Sequence, residues 1–150
     1  MPPLSILLKP ASSACNLRCT YCFYADEAGA RAVPNYGLMS NEVSRALIEK
    51  AAGVAEGSIS FLFQGGEPTL AGLDFFRDFV AQAGQRIPRG VAVRYAIQTN
   101  GTLLDRDWSC FLRENHFLVG LSLDGNRACH DRFRRDGQDK GTYDKVLRAA

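Results

Sequence analysis

Three cysteines fall within eight residues, in the run Cys15-Asn16-Leu17-Arg18-Cys19-Thr20-Tyr21-Cys22. Thiolates at this CxxxCxxC spacing suit a soft metal centre, either zinc or an iron–sulfur cluster. A structural zinc site takes four ligands, typically as two separated pairs. The other sulfur and imidazole donors, Cys110, Cys129, His116 and His130, are remote in sequence. A 4Fe-4S cluster also normally takes four thiolates. Held by three, it leaves one iron open to an outside ligand, which is the logic of a reactive centre rather than a structural one. A loop of small and polar residues can wrap such a cluster with its backbone N–H groups aimed at the sulfides. Five cysteines, an odd number bunched this way, form a poor disulfide framework.

The elements that must hold this loop alternate between two hydrophobic periods. Leu4 to Lys9 reads as a short buried strand ended by Pro10, and the polar stretch Asp26 to Gly37 as loop. Ser40 is placed to cap a helix bearing Val43, Ala46, Leu47, Ala51 and Val54, which Gly57 stops. Ile59, Phe61 and Phe63 then alternate with polar residues as a strand. The unit repeats. Phe75, Phe76, Phe79, Val80 and Ala83 form a helical stripe, and Val91, Val93, Tyr95 and Ile97 a third strand closed by the turn Asn100-Gly101. Leu104, Trp108, Phe111 and Leu112 mark a third helix, and Phe117 to Leu123 a fourth strand. After a long polar loop, Thr142 is placed as the N-cap of a helix carrying Val146 and Leu147.

Four β/α units in series predict an α/β fold with a parallel sheet. Periodicity alone does not choose between a barrel and a doubly wound sheet. Every chemical candidate follows a strand: the cysteines, Gly65-Gly66-Glu67-Pro68, Asn100-Gly101 and Asp124-Gly125. Function gathers at the C-terminal ends of strands in such folds. The last helix reaches only one or two turns before Ala150, so the chain is expected to be the N-terminal portion of something longer.

Bulk properties limit the alternatives. The 150 residues are 46% hydrophobic and 23% charged, enough to bury a core in one domain without disulfides. This composition excludes disordered, collagen-like and simple repeat chains. A net charge of +2 gives no cause to expect a nucleic-acid or membrane partner. No apolar run approaches membrane-helix length, and the N-terminus has no basic region before its short apolar stretch. A cytoplasmic, reducing setting is expected, where clustered thiols more often bind metal or react.

The cysteine motif, with an aromatic before its last cysteine, resembles the signature of the radical S-adenosylmethionine superfamily. The resemblance narrows along the chain. Lys9-Pro10-Ala11-Ser12-Ser13, Phe63-Gln64-Gly65-Gly66-Glu67-Pro68-Thr69, Gln98-Thr99-Asn100-Gly101-Thr102, Gly120-Leu121-Ser122-Leu123-Asp124-Gly125 and His130-Asp131-Arg132-Phe133-Arg134 are similar to anaerobic sulfatase-maturating enzymes. The match runs from about Leu4 to Ala150. The implied fold is the N-terminal four β/α units of a partial (β/α)6 TIM-like barrel. On this basis residues 1–150 are a radical SAM core domain lacking its last barrel units and its auxiliary-cluster (SPASM) domain.

The resemblance implies an oxidoreductase with a 4Fe-4S cluster on Cys15, Cys19 and Cys22 and S-adenosylmethionine as cofactor. Reductive cleavage to a 5′-deoxyadenosyl radical would oxidise a Cys or Ser of a sulfatase polypeptide to Cα-formylglycine. Flavodoxin or ferredoxin would be the reductant. The alternative is another peptide-modifying maturase of the same class; an electron carrier or zinc protein is the rival outside it. Cofactor contacts are implied for Tyr21, Gly65, Gly66, Glu67, Asn100, Ser122 and Arg134. Each also has a structural role available: packing for Tyr21, a turn for the glycines and Asn100, backbone bonding for Ser122, a solvated face for Arg134. The functional expectation for Gly65 and Gly66 is close backbone approach to the methionyl amine, with Glu67 accepting from it. Arg134 is expected to meet a carboxylate as a bidentate guanidinium. Tyr24 and Gln64 are expected to line the substrate side. No catalytic base is assignable within the chain, so it is not expected to complete turnover alone.

Overall fold

The computed structural model describes residues 3–150. Met1 and Pro2, on which the reading of the N-terminus partly rests, lie outside the described residues. The chain runs β1 (Leu4–Leu8), α1 (Phe23–Gly29), α2 (Asn41–Val54), β2 (Ser58–Phe63), α3 (Leu73–Arg86), β3 (Ala92–Thr99), α4 (Arg106–Glu114), β4 (Leu118–Leu121), α5 (Arg127–Phe133) and α6 (Tyr143–Ala149), with a short 3-10 turn at Pro68–Ala71. All four strands pair in parallel in the order β1-β2-β3-β4. That order settles what periodicity left open. A doubly wound sheet reverses direction at a switch point, whereas consecutive right-handed crossovers lay their helices on one face and curl the sheet toward a barrel.

The expected elements form for the expected reasons. Ser40 caps α2, its side chain accepting from the Val43 N–H, and Asp105 does the same for α4 through Trp108. Along β2, Ile59, Phe61 and Phe63 are buried while Ser58, Ser60 and Leu62 are only half so. The buried face packs with Leu8 and Ile97 against Phe76 and Phe79 of α3 and Trp108, Phe111 and Leu112 of α4. Phe61 and Phe63 each meet Phe79 edge-on at centroid distances of 5.0 and 5.1 Å. Burial of each such ring is worth roughly 1.5–3 kcal/mol.

Three expectations are corrected. The stretch Asp26 to Gly37, read as loop, begins as helix: Cys22 sits at the N-cap of α1 and Ala28 is buried beneath it. The polar segment after Asp124, also read as loop, contains α5, capped by the Asn126 side chain on the Cys129 N–H. Seven-residue helices with mostly exposed polar faces carry too little periodicity to read. The fourth strand ends at Leu121 rather than Leu123. Thr142 does stand at the N-cap of α6, but its hydroxyl makes no cap bond; it donates instead to the Arg134 carbonyl.

Candidate functional site

The register brings Leu8, Phe63, Ile97 and Val119 to one level, so the segments that follow these strands meet at one end of the sheet. There the cysteine loop is fixed from two sides. The Glu67 N–H donates to the Ala14 carbonyl at 2.7 Å. On the other side the loop runs antiparallel to the segment after α5: Arg18 N–H donates to Arg135 O at 2.7 Å, Thr20 N–H to Phe133 O at 3.0 Å, and Leu17 bridges Asp136. Gly66 is required by both shape and conformation. Its φ is +51°, and a Cβ there would stand 2.2 Å from the Ala14 carbonyl oxygen.

Glu67, 1% exposed, is the knot of this end. Its Oε1 accepts from the Thr69 N–H (3.0 Å) and from the hydroxyls of Thr69 and Thr99 (both 2.7 Å), and its Oε2 from the Asn100 N–H (2.7 Å). The carboxylate is therefore engaged by four protein donors and holds the ends of β2 and β3 together. Asn100 is not the left-handed residue of its turn; Gly101 is, with φ +73°. Asn100 Nδ2 donates to Asn16 Oδ1 at 2.9 Å and lies 3.8 Å from Cys15 Sγ, while its Oδ1 accepts from the N–H and hydroxyl of Thr102.

All three thiols are free; Cys15 is exposed, Cys19 and Cys22 half-buried. Cys15 Sγ accepts from the Leu17 N–H at 3.4 Å. Cys19 Sγ stands 4.0 Å from a terminal nitrogen of Arg134. Burial pushes the Cys15 and Cys19 thiols above the usual range, with Arg134 opposing at Cys19. Loading metal must therefore displace protons from them. Among the described residues no group of three or more His, Cys, Asp or Glu is arranged to hold a single metal ion. A cubane binds each thiolate at a different iron, and three free thiols with N–H donors and a guanidinium beside them fit that donor set.

Opposite the thiols, Tyr21 OH donates to Asp124 Oδ2, and Arg134 Nε pairs with the same oxygen at 2.9 Å. The guanidinium lies over the Tyr21 ring, 5.3 Å from its centroid. Burial and the bond to Asp124 push the Tyr21 hydroxyl up to about 12. Burial would raise the Asp124 carboxyl, but the bonds from Arg134 and Tyr21 outweigh it and hold it below the usual range. Arg134 thus already has one carboxylate partner through Nε. Ser122 Oγ accepts from Gln98 Nε2 at 3.0 Å, and Gly120 leaves the space that the Gln98 side chain crosses. Gln64 Nε2 donates to Tyr24 OH at 2.6 Å, and Lys9 Nζ lies 4.3 Å from the Tyr24 ring centre.

Every residue given a cluster, cofactor or substrate contact from the sequence lines one cavity of about 330 Å³ at this end of the sheet. Leu17, Phe23, Gln98 and Thr99 line it too and were not singled out. Gln98 and Thr99 could have been found, since they open the Gln98-to-Thr102 run quoted for the resemblance; Leu17 and Phe23 carry no signal beyond lying beside cysteines. Larger grooves lie along α2 and β1 and across the open sheet face, and no cysteine lines either. Cys110 and Cys129 do not line it, and His130 is fully buried.

Residues 10–150 match the model of the radical SAM superfamily. The chain is 49% identical over 150 residues to the cysteine-type anaerobic sulfatase-maturating enzyme of Clostridium perfringens (strain ATCC 13124), covering all of this chain and 40% of that protein. It is 38% identical over 146 residues to the serine-type enzyme of Klebsiella aerogenes, covering 97% of this chain and 36% of that one. Among solved structures, native anSMEcpe with bound AdoMet and Cp18Cys peptide superposes with a TM-score of 0.91 at 47% identity, covering 99% of this chain and 39% of that one. The chain spans about two-fifths of the length of these relatives.

Proposed function

The chain belongs to the radical SAM superfamily, and from that premise we propose that it forms the cluster- and cofactor-binding part of an anaerobic sulfatase-maturating enzyme. Cys15, Cys19 and Cys22 hold a 4Fe-4S cluster whose open iron takes S-adenosylmethionine. When bound, the pair supplies one-electron cleavage of the cofactor's carbon–sulfur bond and hence a carbon radical able to take hydrogen from an unactivated C–H. The observation that carries this reading is that three free thiols and the cradle at Gly66 line one cavity together with the other proposed cofactor contacts.

The residues divide the work by chemistry. Gly65 and Gly66 let main-chain polar groups approach an amine without a Cβ in the way. Glu67 serves that cradle, its carboxylate holding Thr69, Thr99 and Asn100 at the cavity wall. Arg134 offers its terminal N–H groups to the cofactor carboxylate while Asp124 anchors its Nε. Tyr21 gives ring area beside the nucleotide. Ser122, its oxygen occupied by Gln98, keeps its O–H free to donate. Asn100 steadies Cys15, and Tyr24 with Gln64 faces the target peptide.

The substrate is a Cys or Ser of a sulfatase polypeptide, oxidised to Cα-formylglycine. Residues 1–150 are the N-terminal part of the core domain; the proton-accepting base, the remaining barrel units and the auxiliary clusters belong to the further length that the relatives have. Electrons come from a small reducing protein such as flavodoxin or ferredoxin, and the setting is a reducing cytoplasm. Among the described residues no helix is long and apolar enough to cross a membrane.

Anaerobic reconstitution with iron and sulfide tests the proposal. The chain is expected to bind a cluster whose reduced EPR spectrum changes on adding S-adenosylmethionine, and Cys19→Ala is expected to lose it. Tight zinc without sulfide, or a spectrum indifferent to S-adenosylmethionine, refutes it.

A further inference from the structure

A buried relay ties the Arg134–Asp124 pair to α6, and nothing in the reaction chemistry above uses it. His130, 0% exposed, stands between the end of β4 and the start of α6. Its Nδ1 lies 3.3 Å from the Asp124 N–H, which can only donate. Its Nε2 lies 3.0 Å from Thr142 Oγ1, and that hydroxyl gives its one proton to the Arg134 carbonyl at 2.9 Å. The proton count fixes the imidazole: Nδ1 accepts and Nε2–H donates, so the ring is neutral with its hydrogen on Nε2. Each member has one partner on either side, and the relay grips Asp124 and Arg134 by their main chains. These are the two residues whose side chains meet over Tyr21 beside Cys19.

We propose that His130 and Thr142 are positioning residues, a neutral imidazole–hydroxyl relay that sets the Arg134 guanidinium at the angle needed to receive the carboxylate of S-adenosylmethionine. The inference rests on the reading of Arg134 as a cofactor contact. Its physical basis is that a bidentate guanidinium contact is directional, and Arg134 stands at the exit of a seven-residue helix, where its own backbone is held by only one helical bond, to the His130 carbonyl. Without the Thr142 hydroxyl, the carbonyl of Arg134 loses its anchor to α6. Groups that orient a metal-binding side chain from behind are commonly worth 10- to 100-fold in metal affinity or activity, and the same arrangement behind Arg134 is expected at the low end of that range.

The test uses the cluster-loaded chain and reads the dissociation constant of S-adenosylmethionine and the EPR change it induces. Thr142→Val keeps the volume and removes both ends of the hydroxyl relay. It is expected to weaken S-adenosylmethionine binding about tenfold with cluster content unchanged, and Thr142→Ser is expected to restore it. His130→Gln can return a donor toward Thr142 and is expected to bind better than His130→Phe. Arg134→Ala is the reference. If Arg134→Ala binds S-adenosylmethionine as tightly as the parent, Arg134 is not a cofactor contact and both statements fall. If Arg134→Ala is weakened while Thr142→Val lowers only the unfolding midpoint, the relay is structural and the positioning role alone is overturned. Should the His130 variants fail to fold, the Thr142 pair decides.

Discussion

The aromatic layer behind the sheet and the polar rim at its C-terminal end are built on opposite principles. In the layer, Phe61, Phe63, Phe76, Phe79 and Phe117 touch one another in several geometries, edge-on, tilted and stacked. Any one contact is replaceable, and what matters is the apolar area removed from water. In the rim the carboxylates and the imidazole have named partners: Glu67 with four donors, Asp124 with Tyr21 and Arg134, His130 with Asp124 and Thr142. The layer gives the molecule its stability, and the rim spends little of it on a geometry that only a bound ligand completes.

The largest effect should come from the layer. Phe79→Ala opens a cavity against three neighbouring rings, Phe61, Phe63 and Phe75, and is expected to cost about 3–5 kcal/mol in denaturant unfolding, while the folded fraction keeps its affinity for S-adenosylmethionine. A loss of affinity in proportion to stability would erase the contrast. Glu67→Ala crosses it from the other side. This rim residue is fully buried, and orphaning its donors is expected to cost about 1.5–3 kcal/mol together with cofactor binding, because Thr99, Asn100 and the cradle loosen at once.

A smaller effect is expected from pH. Burial and the nearby Arg134 lower the His130 pKa, against the pull of Asp124 and Asp131. The unfolded chain then takes up a proton below about 6.5 that the folded chain resists. Stability is complete above that pH and falls as the solution is acidified toward the folded value. A stability profile from pH 8 to pH 5 should flatten in His130→Gln; equal slopes would refute the neutral ring. The smallest effect belongs outside both regions. The solvent-exposed Arg127–Asp144 pair should leave unfolding and binding unchanged on Arg127→Ala, as exposed ion pairs usually do.

The contrast also explains what the sequence made legible. The layer follows from period: Ile59, Phe61 and Phe63 alternate, Phe75, Phe76 and Phe79 recur every three or four residues, and each pattern names its own element. The residue types of the rim were readable as motifs, yet their pairings join positions far apart, Tyr21 with Asp124 and Asn100 with Asn16. Nothing local states such a pairing. Glu67 was legible as a site residue but not as the buried knot it is, since two of its four donors come from the next strand and its end, at Thr99 and Asn100. The helices α1 and α5 were missed because seven residues around a few buried side chains hold no repeat, and the strand order could be known only once the crossovers were seen.

The antiparallel clasp of Leu17 to Thr20 on the segment from Phe133 to Asp136 carries a consequence for biosynthesis. Cys19 is 115 residues ahead of Arg134 in the chain, so at about 5–20 residues per second the ribosome takes roughly 6–23 seconds to deliver the other side of the clasp after Cys19 has been made. Throughout that interval the cysteines exist without the wall that orders them, available to stray metal or oxidant. The architecture therefore places cofactor loading after Arg134 has been made, and puts a premium on how quickly the nascent chain closes its own clasp.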